Sequence, residues 1–324
     1  MTKLLLISER AYEHWPSFDL IYEWEDELVK VIPGAKLYKN KELYISRKRV
    51  FKFIEKFTGM NPNTLFLRDN KCFHFDLSAR TTNNFMNNKN HKVCIVDFYL
   101  KENKLRDFYK AYANVEKLFV SSREAYDFLM AHNPAREVLH MPLTLPDKYI
   151  LKPDIHCEKA YDLVLAGRQN PILLKYLEEY IKDHPLKIVY RKEISNGQFP
   201  YYTNQGEYVG NIVTREDYFS LMRKSKIAFY STPGIDGGEN KTNGFNQVTP
   251  RFLEELACCC NIISRFEDNA DTEYFELGEM TRRITCYRDF KNAMDESLTT
   301  SPNLNKYANY LNRHYTSGIA QQLV

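Results

Sequence analysis

The sequence predicts an α/β chain of two doubly wound, parallel-sheet domains. Three observations carry that expectation. Short apolar or β-branched runs alternate with amphipathic stretches of helical period along the chain, the pattern of βαβ units. Its 324 residues suit two domains of ordinary size with ample core. Between the two series of alternations, Pro142–Lys159 (PLTLPDKYILKPDIHCEK) holds three prolines and no periodicity, as a crossing between domains does. The expected division is a first domain over 1–150, a second over 151–303, and a last helix within 304–324 that returns to the first domain.

Bulk properties narrow the class. A net charge of +3 leaves no strong electrostatic footprint for nucleic acid. The seven cysteines, three of them adjacent (Cys258, Cys259, Cys260), show neither a disulfide framework nor paired zinc spacing. Reduced thiols in a cytoplasmic protein account for them. The opening MTKLLLIS is too brief for a signal peptide or a membrane span and reads as a first buried strand. At most peripheral membrane association is expected.

In the first half, Lys3–Ile7 is that strand, and its loop Ser8–Pro16 carries Glu9, Arg10, His14 and Trp15. Ligands bind at the carboxyl edge of open α/β sheets, so this loop is either a site or a plain connection. Ser17 is placed to cap a helix to about Val31, which Pro33-Gly34 ends. Arg47–Phe57 is a basic amphipathic segment with a solvated face, and Thr64–Leu67 is apolar enough for a strand. Phe73–Leu77 alternates as a strand does, with His74 either lining a pocket or serving the core. Ser78 to about Asn88 reads as a polar helix. Lys92–Phe98 (KVCIVDF) is a buried strand whose Asp97 lies near its end, placed for acid–base chemistry or for capping the next loop. A helix around Lys104–Ala113, a strand at Lys117–Val120, a helix Ser122–Ala131 and a strand at Val138–Met141 complete this half.

The second half restarts at Tyr161–Ala166, which ends in Gly167-Arg168-Gln169-Asn170 before Pro171 opens a helix to about Asp183. Strand, glycine, polar residues and helix start is the order that brings backbone N–H groups to phosphate oxygens. Leu186–Tyr190 is the next strand. Glu207–Val213 runs as a strand into a glycine turn at Gly210, and Thr214 caps the following helix, with Asp217 three residues on as a partial capping box. Lys226–Tyr230 is a buried strand. The loop Ser231–Gln247, with four glycines, is long enough to suggest ligand contact or mobility, although Asp236 and Glu239 lack metal-ligand spacing. The sequence then reaches QVTPRFLEELACCCNIIS, residues 247–264. Thr249 is a candidate N-cap, Pro250 a first helical residue, and Ile262-Ile263 a short strand. Arg251 falls in the first turn, where the helix dipole disfavours a cation. A bound phosphate would reverse that penalty, and Glu254 one turn deeper could take sugar hydroxyls. An Arg251–Glu254 or Arg251–Glu255 ion pair accounts for the same residues without a ligand. A helix through Tyr274 to Leu277, a strand near Arg283–Cys286, a helix at Asp289–Ser297 and the last helix around Leu304–His314 finish the chain.

LEELACCCNII resembles the donor-site helix of GT-B glycosyltransferases: a Glu, small and apolar residues, a turn, then a β-branched strand. The form NxxTxRxxExxA is similar to the donor helix of the phage DNA glucosyltransferases, and YDLVLAGRQNP, SKIAF and TPRFLEELA resemble group-1-type enzymes of the spore-maturation CgeB-like kind. The resemblance implies two Rossmann-like domains facing each other across a cleft, and a nucleotide-diphosphate sugar, a UDP-sugar, as donor. It places Gly167, Arg168 and Arg251 at the diphosphate, Glu254 at the ribose, Gly210 and Ile212 at the base, and Asp97 as the base that deprotonates the acceptor hydroxyl. No resident cofactor is implied, and the absence of an Asp-x-Asp triplet agrees with metal-independent catalysis. Cys259 stands where the family has its turn glycine, Asn261 where it has proline, and Asn246 where retaining members have a first Glu; the last tilts the expectation towards inversion. The implied activity is a hexosyltransferase of polysaccharide biosynthesis acting on a glycan or lipid-linked glycan. A nucleotide-sugar 2-epimerase on the same scaffold and a non-catalytic nucleotide-sugar-binding module are the alternatives.

Overall fold

The computed structural model describes residues 4–39, 70–192 and 199–323, apart from 12, 15, 83 and 85, together with 53 and 67. The basic amphipathic segment over 47–57 and the expected strand over 64–67 lie, but for Phe53 and Leu67, outside the described residues, as does Trp15. The chain divides into two compact units, Met1–Asp147 with Tyr315–Val324, and Lys148–His314.

The first unit is built on a parallel sheet of β1 (Leu4–Ser8), β2 (Lys36–Lys39), β3 (Lys71–Ser78), β4 (His91–Asp97), β5 (Lys117–Val120) and β6 (Val138–His140), in the order β2-β1-β3-β4-β5-β6. The apolar runs form the strands because both faces of a parallel sheet are covered. Leu6, Ile7, Val93, Ile95, Leu118 and Val120 are fully buried. Helix Pro16–Val31 starts one residue before the expected Ser17 cap and buries Trp24, whose indole donates to the Thr144 carbonyl at 2.9 Å. Ser122, expected as the first helical residue, is instead the cap of helix Arg123–Ala131, accepting from the Ala125 amide.

The described residues of the polar stretch after β3 form no helix. Asn84 Oδ1 accepts from the Met86 amide and Asn88 Oδ1 from the Asn90 amide, each at 3.0 Å. Short amide side chains offer the backbone turn partners in place of helical ones, and no apolar stripe opposes them.

The second unit is a sheet of β7 (Tyr161–Leu165), β8 (Ile188–Arg191), β9 (Pro200–Thr203), β10 (Tyr208–Asn211), β11 (Ser225–Ser231), β12 (Asn261–Arg265) and β13 (Arg282–Arg283), ordered β10-β9-β8-β7-β11-β12-β13. Leu163, Leu173, Leu177, Ile227, Phe229, Ile263, Phe290 and Met294 make its core. Here β9 and β10 are an antiparallel addition at one edge. The sequence reading has only β10; β9 (PYYT) escapes it because four residues are too few to establish a period, even though Tyr201 and Thr203 alternate into the core and Asn204-Gln205-Gly206 is a turn signal, with Gly206 at φ +90°. Both halves of the Thr214–Asp217 capping box are present. The loop 231–247 is packed on itself, with Ile235, Phe245 and Gln247 buried. A Cβ on Gly234 would lie 2.7 Å from Asn246 Oδ1 and 2.9 Å from the Phe245 carbonyl, so only glycine fits. Helix Leu304–Leu311 packs within this unit: Tyr307 donates to the Cys260 carbonyl at 3.1 Å and Tyr310 to the Phe275 carbonyl at 2.7 Å. It is the segment after that helix, Tyr315–Val324, and not the helix itself, that belongs with the first unit.

Candidate functional site

In each sheet the chain leaves one strand in two directions, and ligands of open α/β sheets bind at the carboxyl edge of that switch point. In the second unit the switch lies between β7 and β11, which pair with each other and run outward to β8 and β12.

Arg251 sits at that switch. Nη1 donates to the Arg168 carbonyl at 2.6 Å, Nη2 donates to the Phe229 carbonyl of β11, and Nε donates to Glu255 Oε1 at 2.8 Å. The i,i+4 pair with Glu255 is therefore real, but it is not on a solvated face: Glu255 is 0% exposed. Three of the five guanidinium donors are used, leaving one N–H on each terminal nitrogen without a partner among the described residues. Burial pushes the Glu255 carboxyl up to about 7, against the pull of Arg251. Its second oxygen has no hydrogen-bond partner among the described residues.

Around Arg251 the edge is cationic. Gly167, at φ +68° beyond β7, would place a Cβ 3.3 Å from Arg251 Nη1, so glycine keeps the backbone open above the guanidinium. Arg168 pairs with Glu239, and Arg265, ending β12, pairs with Asp236. Asp236 also accepts from Asn170 Nδ2 at 2.8 Å. These carboxylates of the long loop thus serve arginines. Arg191, ending β8, is in no ion pair among the described residues, and the Tyr201 hydroxyl lies against the Gly167 backbone, its pKa raised by burial. The Thr232 hydroxyl, next after β11 and 1% exposed, has no partner among the described residues. Sequence reasoning missed Arg191 and Tyr201; the first has a signal, a basic residue directly after a strand.

Two expectations change in detail. Thr249 does not cap the helix: its amide donates to the Tyr230 hydroxyl at 3.0 Å, and Arg251–Ala257 begins after Pro250 with no side-chain cap. The cap position falls on Pro250, whose backbone is already helical and whose side chain has no acceptor to offer. The Ile212 amide is already engaged, donating to the Phe199 carbonyl at 3.1 Å. Gly210 sits at φ +150° in a register shift of β10. Glu254 Oε1 accepts from Arg215 Nη2 at 2.7 Å, and both side chains are largely buried.

The first sheet switches between β1 and β3. Asp76, 0% exposed, is the hub there. Arg80 Nε and Nη2 each donate to Oδ1 at 2.7 Å, and the Tyr112 hydroxyl donates to Oδ2 at 2.7 Å. His74 Nε2 lies 3.5 Å from Oδ1, and its Nδ1 is 2.9 Å from the Ile7 carbonyl. Burial disfavours the Asp76 carboxylate, yet Arg80, His74 and Tyr112 together hold it well below the usual carboxylate range. The His74 pKa is raised: burial opposes its charge, and the Asp76 hydrogen bond and charge prevail. Glu9 approaches Arg80 at 3.8 Å, and Arg10 binds Glu25 at 3.0 Å and Asp26 at 2.9 Å. His74 is thus a core histidine in a charged cluster. Asp97 is half-buried at the end of β4, in register with Ser78, and its carbonyl accepts from the Ala79 amide.

Glu25 adds a pH signature. Burial pushes its carboxyl up to about 7, with the Ser8 hydrogen bond and Arg10 opposing. A carboxyl raised on folding contributes stability below its unfolded value, and that contribution is lost as pH rises through the folded value. Glu25→Gln is expected to remove about 3 kcal/mol of the stability loss between pH 4.5 and 7. Urea midpoints of parent and variant at pH 5 and 8 test this; equal pH dependence in both would contradict it.

No family model and no curated protein matches the chain. Solved structures do. An α,α-trehalose-phosphate synthase (UDP-forming) from Burkholderia vietnamiensis superposes with a TM-score of 0.54 at 9% identity, over 99% of this chain and 96% of that one. A putative UDP-N-acetylglucosamine 2-epimerase from Listeria monocytogenes gives 0.53 at 11% identity, over 99% and 94%. The GtfA/B complex aligns with 84% of this chain and 59% of its own at a TM-score of 0.49. The first two establish the fold, the GT-B fold of two Rossmann-like domains. Among the described residues no helix is long and apolar enough to cross a membrane.

Proposed function

We propose that this chain is a glycosyltransferase that moves a sugar from a nucleotide-diphosphate sugar, a UDP-sugar, to a hydroxyl of a glycan or lipid-linked glycan in polysaccharide biosynthesis. The observation that carries the reading is the arginine at the β7/β11 switch, held by two backbone carbonyls and a buried carboxylate beneath an open glycine. A guanidinium so constrained presents its remaining N–H groups to an anion at little entropic cost. Arg251 and Arg168, with the Gly167 backbone, neutralise the departing diphosphate without a metal ion. Glu254, oriented by Arg215, takes the ribose, and the backbone at Gly210 and Ile212 takes the base. Asp97 removes the acceptor proton as the hydroxyl attacks the anomeric carbon with inversion.

The likeness of fold to a putative UDP-N-acetylglucosamine 2-epimerase favours a second reading, isomerisation of the same class of donor. The products separate the two: a transferase releases nucleoside diphosphate and an epimerase does not.

The first test is a thermal-shift screen of nucleoside diphosphates and their sugars. A ligand at 100 times its Kd stabilises by about 2.7 kcal/mol, enough to raise Tm by several degrees. An Arg251→Ala/Glu255→Ala double variant, which removes both buried charges together, is expected to lose the response. A double variant that responds like the parent overturns the diphosphate assignment.

A further inference from the structure

We infer that Cys157 and Cys259 are an oxidant-sensing thiol pair, a modification site that takes a peroxide and closes to a disulfide. Their sulfurs lie 3.2 Å apart although the residues are 102 positions apart in the chain. A disulfide needs about 2.05 Å, so the sulfurs must close by little more than 1 Å. The inference does not depend on the nucleotide reading.

Three features aim this pair at each other. Cys259 occupies φ +56°, a left-handed conformation that favours glycine. That backbone turns its side chain away from those of its neighbours: Cys258 Sγ faces the Phe219 carbonyl at 3.7 Å and Cys260 Sγ the Met222 carbonyl at 3.3 Å. Lys159, two residues after Cys157, donates to the Cys259 carbonyl and to the Ser225 carbonyl, each at 2.8 Å, and so fastens the segment bearing Cys157 to the turn bearing Cys259. Exposure is unequal. Cys259 is 2% exposed, whereas Cys157 is half-buried and lines a surface groove with His156, Phe219 and Arg223.

This asymmetry assigns the roles. The Cys157 thiolate attacks one peroxide oxygen, the O–O bond breaks, and hydroxide leaves, giving a sulfenic acid. Burial pushes the Cys259 thiol up to about 12, so it persists as the unreacted partner. Its sulfur then attacks the sulfenic sulfur, the S–O bond breaks, and water leaves with the thiol proton. Two thiols and one hydrogen peroxide become one disulfide and two waters. The bond would staple the segment entering β7 to the end of helix Arg251–Ala257.

The test treats the full chain with hydrogen peroxide, blocks residual thiols, and maps peptides without reduction. The expected product links Cys157 to Cys259, with two fewer titratable thiols after denaturation. Tm should rise by about 10 °C, as closure of a loop of roughly 100 residues implies, and dithiothreitol should reverse the rise. Cys157→Ser and Cys259→Ser should each abolish both signals, while Cys286→Ser, at an exposed cysteine, should abolish neither. A map in which Cys157 ends as sulfinic acid without a cross-link, or in which other cysteines pair, overturns the inference.

Discussion

Replacing Asp76 by alanine is expected to lower stability by about 3–5 kcal/mol, the cost of removing one partner from a buried ionic cluster. The residue is 0% exposed and accepts from Arg80 twice and from Tyr112 once. Its loss removes the buried acceptor that faces the Tyr112 hydroxyl and the His74 imidazole, and leaves the partly exposed Arg80 guanidinium with Glu9 at 3.8 Å. Asp76→Asn keeps the volume and an acceptor for Tyr112 but not the charge, so a smaller loss is expected. The sign with pH follows from the depressed Asp76 pKa. Its contribution is present above the unfolded carboxyl value of about 3.9 and fades as pH falls below it. The gap between parent and Asp76→Asn should therefore be full at pH 7 and narrower at pH 3. Urea midpoints measure it, and an Asp76→Ala midpoint equal to the parent's would refute the packing of this cluster.

Arg251→Ala is expected to be nearly as damaging, with a loss that likewise grows with pH but over a higher range. The substitution leaves Glu255 buried without its only ion-pair partner among the described residues. Glu255 already titrates near 7, and without Arg251 its carboxyl must move higher. Below pH 5 the carboxyl is neutral in the folded protein with or without Arg251, and the loss should be modest. Above pH 8 the variant must either bury an uncompensated charge or hold a proton against solvent, and the loss should approach about 3–5 kcal/mol. Adding Glu255→Ala should recover much of it, since the two side chains are in contact and their effects are not additive. Denaturation at pH 5 and 8.5 of the two single variants and the double variant closes the cycle. A loss independent of pH would mean that Glu255 is not the group left unpaired. Nucleotide binding separates this structural role from the proposed one: the double variant is to be folded but unresponsive.

The alternation of strands and helices was legible in the sequence because each βαβ unit writes its own period and caps locally. KVCIVDF, KLFVSS and YDLVLAG carry their elements in their own residues. So do Ser122, Asn170 and Thr214, which cap the helices that follow them. The GT-B fold is accordingly the expected one, and Gly167 and Arg251 fall together at the carboxyl edge of one sheet. Where the local signal was weak or contested, the reading failed. The asparagine-rich stretch after β3 forms turns, and β9 is too short to announce itself.

Tertiary structure alone decided what each charge does. Arg215 meets Glu254 across 39 positions, Arg251 meets the Arg168 carbonyl across 83, and Tyr112 meets Asp76 across 36. Asp76 reads in the sequence as one polar residue of an alternating strand. Its role follows from a switch in strand order that brings β1 beside β3 and Arg80 back over both. Periodicity reports which face of an element is buried, because burial acts on each residue through its own transfer free energy. Pairing depends on the positions of two residues at once, and those are fixed only when the sheets have closed.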